Sequence, residues 1–204
     1  MSALALFDFD GTLCEKDSFT GFMHYVFDKP YFYKKSLKVL PQIIAYYAKI
    51  YPPHRMRPEL YRQMFKHYPV NKAKYYGEQF AHYLYYSALN QQLLERLQWH
   101  QQQQHHVVIV SASLDLYLEP LAQRLGVELI CTKVDCLNNQ LTGFYASRDC
   151  SNQEKIKQLI CRLNPKDYES IYAYGNSRED YAMLKFADHA FWVDKNLNMS
   201  NFEN

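Results

Sequence analysis

The 204-residue chain is 48% hydrophobic and 22% charged, with a formal net charge of +2, which suits one globular domain or one domain with a sizeable insertion. No run of 18 apolar residues is present, so a membrane-spanning helix is not expected. The cysteines (Cys14, Cys131, Cys136, Cys150, Cys161) are odd in number and form no CxxC pair, which excludes a disulfide framework and points to free thiols in a reducing compartment.

Residues 3–8 read as a first strand, so no secretory leader is expected. The strand ends in two carboxylates, Asp8 and Asp10, followed by Gly11-Thr12. On a continuing strand these carboxylates would share a face, and two like charges that close require a cation or a proton between them. The same residues also suit a plain Asp-Gly turn with both acids solvated. Cys14 beside them is a poor nucleophile, because nearby carboxylates disfavour a thiolate.

From residue 17 to about 101 the pattern becomes helical. Phe19, Phe22, Met23, Val26 and Phe27 recur at i, i+3, i+4 spacing behind an Asp17-Ser18 cap. A second helix is expected over 31–50, kinked or split by Pro41. Pro52-Pro53 is a break, and further helices are expected over 58–68 and 71–101. The region 15–90 thus reads as an all-helical insertion, flanked by core segments 1–14 and 91–204. The low-complexity stretch 98–106 (QWHQQQQHH) reads as a solvated connection.

Beyond residue 107 strands and helices alternate. Strands are expected at 107–110, 127–131, 170–174 and 190–193, and a small β excursion at 141–145. Helices are expected at 115–125, 152–163 and 179–186. This alternation predicts an α/β fold with a parallel sheet and right-handed crossovers. An insertion directly after the first strand lies above Asp8 and Asp10 and can cover a site there.

Three later features fall at strand ends or helix starts. Ser111, in Ser111-Ala112-Ser113, offers a hydroxyl and backbone N–H groups to phosphate oxygens, or simply caps a helix. Lys155 can neutralise a phosphoryl oxygen and a carboxylate together, or lie on the helix surface beside Glu154. Gly175-Asn176-Ser177 with Asp180 presents oxygens that suit Mg²⁺, although an acid in a first helical turn is also favoured by the helix dipole.

In combination and in this order, these residues resemble the haloacid dehalogenase-like superfamily of aspartate-nucleophile phosphatases. Asp8-Phe9-Asp10-Gly11-Thr12-Leu13 resembles its DxDGT motif, Ser111 its second motif, Lys155 its third, and Gly175-Asn176-Ser177 with Asp180 its fourth. The insertion matches the helical C1-type cap, and the branch most similar is the phosphoserine phosphatase-like one. That branch also includes phosphatases acting on phosphatidylglycerophosphate. The resemblance implies a Rossmann-like parallel-sheet core with the cap inserted after the first strand. It implies a Mg²⁺-dependent phosphomonoesterase working through an aspartyl-phosphate. Asp8 is then the nucleophile, Asp10 the acid and base, and Ser111 and Lys155 the phosphate-binding pair. Thr12, Asp17 and Ala112 join Ser111 and Lys155 around the substrate, and Asp8, Asp10, Asn176 and Asp180 hold the metal.

Two residues depart from that pattern. Asn176 stands where the family often has an acidic ligand, and Asn152 stands near the glycine that usually precedes the lysine, which leaves Lys157 as a fallback. Asn176 favours the competing reading, a non-catalytic module that binds a phosphorylated ligand or an anionic surface.

The net charge hides an asymmetry. Residues 28–75 hold eleven Lys or Arg against Asp28 and Glu59, so that segment carries about +9 and the remainder about −7. Within it, Leu37, Val39, Leu40, Ile43, Ile44, Tyr46, Tyr47 and Ile50 are flanked by Lys34, Lys35, Lys38 and Lys49. Such a stretch suits either a cap core helix with solvated lysines or a membrane-surface helix. The expected substrate is therefore a small phosphorylated metabolite or a phospholipid head group. The expected location is cytoplasmic, with peripheral contact at the inner membrane face through the basic cap. Nucleic acid is not an expected partner, since no recognition motif is present. Asp17 either contacts the substrate or caps the first cap helix, and capping is favoured.

Overall fold

In the computed structural model, which describes residues 3–202, the apolar run Leu4–Phe7 is strand β1, buried along its whole length. Five α-helices follow: α1 (Ser18–Val26), α2 (Lys29–Ser36), α3 (Leu40–Tyr47), α4 (Pro53–Phe65) and α5 (Val70–Ser87). Helix α6 (Gln91–Gln102) then leads into β2 (His106–Leu114). Next come α7 (Asp115–Leu125), β3 (Glu128–Thr132), and the hairpin of β4 (Val134–Leu137) and β5 (Gln140–Tyr145). The chain ends with α8 (Gln153–Ile160), β6 (Ile171–Gly175), α9 (Tyr181–Phe186), β7 (His189–Val193) and β8 (Met199–Asn201).

Six strands form one sheet in the order β3-β2-β1-β6-β7-β8, and β4–β5 form a second. The large sheet is parallel except at β8. Its central strands are apolar runs because both faces are covered. From β1 the chain builds outward through β2 to β3, then returns to the other side of β1 for β6 and β7. The order reverses between β1 and β6, and ligands of open α/β sheets bind at such a switch, outside the carboxyl ends of the strands.

Helices α1–α5 form a cap on that edge. The chain enters and leaves it side by side: Glu15 N donates to Ala88 O and Asn90 N to Leu13 O, each at 2.9 Å. This neck interrupts the long helix expected over 71–101. Asn90 caps a new helix, its Oδ1 accepting from Gln92 N and Leu93 N, so α5 ends and α6 starts. Pro41 splits the 31–50 region: α2 stops at Ser36, a 3₁₀ turn spans Leu37–Val39, and Pro41 sits in the first turn of α3, where its missing N–H costs nothing. Main-chain hydrogen bonds also tie the cap to the β4–β5 hairpin, including His67 N to Leu141 O at 2.8 Å and Leu141 N to Tyr68 O at 2.9 Å.

The abundant aromatics pack mostly within the cap or within the core, and Tyr117 and Tyr145 join the two. Phe22 stacks with Phe65 at 5.7 Å and meets Phe80 and Tyr117, so one apolar cluster runs from the sheet into the cap. Gly77 lets α5 cross the start of α7 closely, since a Cβ there would lie 2.0 Å from Leu116 O.

The glutamine- and histidine-rich stretch is not a solvated connection throughout. His100 is fully buried. Its Nε2 lies 2.9 Å from the Tyr174 hydroxyl and its Nδ1 lies 2.8 Å from His105 Nδ1. A neutral ring satisfies both, donating through one nitrogen and accepting through the other. Burial, and then the neighbouring His105 and Arg96 charges, push its pKa down to about 3. The unfolded chain therefore binds a proton below about pH 6.5 that the native ring refuses until about pH 3, so stability from this residue is complete above that window and falls on acidification through it. His100→Gln is expected to flatten the loss of unfolding free energy between about pH 7 and about pH 5, measured as the difference from wild type in urea titrations.

Candidate active site

Phe7 registers with Ile109 on β2 and with Tyr174 on β6. The residues just past that row therefore meet at one edge: Asp8, Ser111, and Gly175-Asn176. Strand β1 stops at Phe7, so alternation along an extended strand is not what aligns the two acids. The chain turns instead. Thr12 N and Cys14 N both donate to Phe9 O, and Gly11 takes a φ of +76°. A Cβ at Gly11 would lie 1.8 Å from Asn176 Nδ2, so only glycine allows that approach.

The turn separates the environments of Asp8 and Asp10. Asp8 is buried, its Oδ2 accepting from Thr12 Oγ1 at 3.2 Å and its Oδ1 from Lys155 Nζ at 2.5 Å. Lys155 Nζ also donates to Asp180 Oδ1 at 2.5 Å. Asp180 Oδ2 accepts from Asn176 N, Ser177 N and Ser177 Oγ, so its geometry is fixed by its own loop. Two buried carboxylates thus share one buried ammonium. Burial and the Asp180 charge push the Asp8 carboxyl up, against the pull of Lys155. Burial pulls Lys155 down, but Asp180 and Asp8 more than offset it and keep the amine charged.

Asp10 faces the other way. Its Oδ1 accepts from Ser18 N at 2.6 Å and its Oδ2 from Ser113 Oγ at 2.5 Å. Ser18 Oγ in turn lies 3.3 Å from Ser113 Oγ and 3.0 Å from the buried Tyr117 hydroxyl. Burial and the Asp17 charge push the Asp10 carboxyl up, and these hydrogen bonds oppose them. The result is an oriented carboxyl suited to holding a proton. Cys14 is fully buried, and burial and the Asp10 charge push its thiol up to about 12, which disfavours a thiolate.

These groups line a cleft of about 2100 Å³ between cap and sheet. Asp8, Asp10, Ser111, Ala112, Lys155, Asn176 and Asp180 all border it. Ser111 is buried there and accepts from Ser113 N. Thr12 is fully buried and its hydroxyl holds Asp8. Asp17 borders the cleft but caps α1, accepting from Thr20 N at 3.1 Å. Lys155, not the exposed Lys157, reaches the carboxylates.

The matched family model fits this arrangement in chain order: haloacid dehalogenase-like hydrolase, over residues 5–185. The chain belongs to the haloacid dehalogenase-like hydrolase family. It is 31% identical to protein CicA of Caulobacter vibrioides over 193 residues, covering 91% of this chain and 83% of CicA. In fold it is similar to a protein of unknown function from Bordetella pertussis Tohama I, with a TM-score of 0.77, 20% identity, and coverage of 93% of this chain and 89% of that one. It is also similar to a phosphoserine phosphatase solved with substrate bound, with a TM-score of 0.69, 15% identity, and coverage of 95% and 86%.

In this haloacid dehalogenase-like hydrolase the donor set suits a hard divalent cation. The Asp8 and Asp180 carboxyls and the Asn176 amide border the cleft together, and oxygens of this kind are what such an ion takes. The two carboxylates outnumber the one ammonium between them. Among the described residues no three His, Cys, Asp or Glu form a metal cage. Mg²⁺ does not need one, because it is usually held by one or two carboxylates with waters and substrate phosphate.

Two features went unread in the sequence. One is the Ser18–Ser113–Tyr117 set around Asp10, whose only signal was the second serine of Ser111-Ala112-Ser113. The other is Arg57 on α4, one cation among eleven in the basic segment. It binds Asp149 through Nε and Nη2 at 2.9 and 2.8 Å, and Glu179 through Nη1 and Nη2 at 2.9 and 3.0 Å. Burial works against its charge, but Asp149 and Glu179 hold the guanidinium's pKa well above the ordinary value. This fork joins the cap to the segment leading into α8, which carries Lys155, and to the loop that carries Asp180, a geometry that suits arginine and not lysine.

Asn152 keeps the backbone shape that glycine would give, at φ +53° and ψ −130°, with its N–H held by Glu179 O at 2.9 Å. Asn152→Gly is expected to stabilise the protein by about 1 kcal/mol and Asn152→Ala to destabilise it, read from denaturation midpoints. Lys155→Met leaves Asp8 and Asp180 without their shared ammonium and is expected to cost ~3–5 kcal/mol near neutral pH. That deficit should shrink on acidification as the Asp8 carboxyl, whose pKa burial and Asp180 raise, takes up a proton, which urea titrations at two pH values would measure.

Proposed function

We propose that this chain is a Mg²⁺-dependent phosphomonoesterase that forms an aspartyl-phosphate on Asp8. The observation that carries this reading is the pairing of two unlike carboxyls in one cleft. Asp8 is fixed by Lys155 and Thr12, and Asp10 is fixed by Ser18 N and Ser113 Oγ.

An Asp8 oxygen attacks phosphorus as the bond to the ester oxygen breaks. Asp10 gives its proton to the departing alkoxide, a role that its raised pKa and fixed orientation support. Asp10, now ionised, takes a proton from water; that water attacks phosphorus, the Asp8–phosphorus bond breaks, and inorganic phosphate forms. One carboxyl thus serves as acid and then base, and a difficult displacement becomes two easier ones. In this reading Lys155 and the Ser111 hydroxyl bind phosphoryl oxygens and oppose the charge that grows in each displacement, a role their position on the cleft wall supports. Bound through Asp8, the Asp10 carbonyl, Asn176 and Asp180, Mg²⁺ would screen the phosphoryl group from the attacking carboxylate.

The substrate we propose is a small phosphorylated metabolite or a phospholipid head group. The cleft exceeds the roughly 300–1,000 Å³ of ordinary small-molecule pockets. Its outer walls are apolar and aromatic, with Phe19, Phe32, Leu40, Tyr46 and Met56 among them. Both features favour a substrate with a part beyond the phosphate.

The test is phosphate release from a panel that includes phosphoserine, sugar phosphates and phosphatidylglycerophosphate in micelles. Chelation should abolish release and Mg²⁺ restore it. Asp8→Asn should lower turnover by roughly 10³-fold or more, and Asp10→Asn by about 10²–10⁴-fold. Turnover retained in Asp8→Asn would overturn the mechanism. Binding of phosphorylated ligands without release from any substrate would favour a non-catalytic module and direct attention to Asn176.

A further inference from the structure

The cap carries an apolar surface that nothing in the chain covers. Leu37, Leu40, Ile44 and Tyr47 follow one another at intervals of three, four and three residues, which is one stripe of a helical path. They are 64%, 42%, 61% and 78% exposed, and Ile50 just beyond is 80% exposed. The opposite side of the same path, at Val39 and Ile43, already packs into the cap. This path is therefore apolar on both sides, and α3 has no buried residue of its own. Solvent normally faces the polar side of such a helix.

The charge around the stripe identifies what could cover it. Lys29, Lys34, Lys35, Lys38 and Lys49 precede, interrupt or follow it along the chain, and no acid occurs between Asp28 and Glu59. Among the described residues none of these lysines has an acidic partner. A second copy of this chain would bring like charges together, so the complement must be anionic as well as apolar. A bilayer surface containing anionic lipid offers both: head groups for the lysines and an acyl boundary for the leucine, isoleucine and tyrosine side chains. No described helix is long and apolar enough to cross a membrane, so the contact is one of lying on the surface.

The stripe also adjoins the mouth of the cleft. Lys34, Leu37, Leu40, Tyr47 and Lys49 belong to the cleft wall as well as to this surface. We infer that the segment 29–50 is an interfacial element that seats the cap on an anionic bilayer with the cleft opening toward the lipid. This goes beyond the proposed hydrolysis and does not depend on it.

The experiment is co-sedimentation of the full chain with phosphatidylcholine vesicles, with and without phosphatidylglycerol. Ile44, Ile50, Lys35 and Lys38 lie outside the cleft wall, so variants there test the surface alone. Wild type should sediment with phosphatidylglycerol vesicles and be released by salt. Each of Lys35→Glu and Lys38→Glu should weaken binding about fivefold or more. Ile44→Ser/Ile50→Ser should weaken it at least tenfold while retaining native circular dichroism and wild-type binding of phosphate. Asp8→Asn should bind vesicles like wild type, which separates this outcome from any failure of the hydrolytic reading. Absence of vesicle binding by wild type, or binding indifferent to all four substitutions, would overturn the inference. So would concentration-dependent dimers that Ile44→Ser/Ile50→Ser dissolves, since a second copy would then be the occupant.

Discussion

One ammonium between two carboxylates is the constraint on which the site depends. Lys155 Nζ stands 2.5 Å from both Asp8 and Asp180, and all three side chains are buried. In that setting charges are costly unless paired, and a pair is worth keeping only when its remaining oxygens are also satisfied. Thr12 satisfies one for Asp8, and the Asn176-Ser177 turn satisfies Asp180. The loops after β1 and β6 and the start of α8 are therefore held together by the charges of the candidate site itself. The set still has more negative than positive charge, and such an imbalance invites a cation.

The cap is fastened to that cluster by a second charged group. Arg57 spans Asp149, ahead of Lys155 in the chain, and Glu179, beside Asp180. Glu179 O also fixes the strained Asn152 that opens α8. Cap position, the lysine helix and the Asp180 loop thus share partners. Any displacement of the cap must break the Arg57 fork or carry the two loops with it. The aromatic cluster joining Phe22, Phe65, Phe80 and Tyr117 makes the rest of that joint apolar and continuous with the hydroxyl set around Asp10.

Local signals in the sequence were reliable where one short segment decides the outcome. The apolar run before Asp8 could only be a buried strand. Gly11 marked a turn whose φ of +76° strains any residue with a Cβ, and Asp17 marked a helix start by accepting from Thr20 N. Signals failed where distant partners decide. The end of α5 depends on neck hydrogen bonds between residues more than seventy positions apart. The burial of His100 depends on Tyr174, 74 positions away on β6. Arg57 was indistinguishable from ten other cations until Asp149 and Glu179 were brought to it.

What the sequence determined by itself was the set of reactive groups and the fold class. Patterns of period 2 and 3.6 fix strands and helices locally, and the order of the elements then leaves few topologies open. The tertiary structure alone decided which groups meet. It turned Asp10 away from Asp8 toward Ser18 and Ser113, set Thr12 behind the cleft wall to hold Asp8, and left the Leu37–Tyr47 stripe without a cover. The reason is that pairing and burial depend on distances across the fold, and spacing along the chain does not contain them.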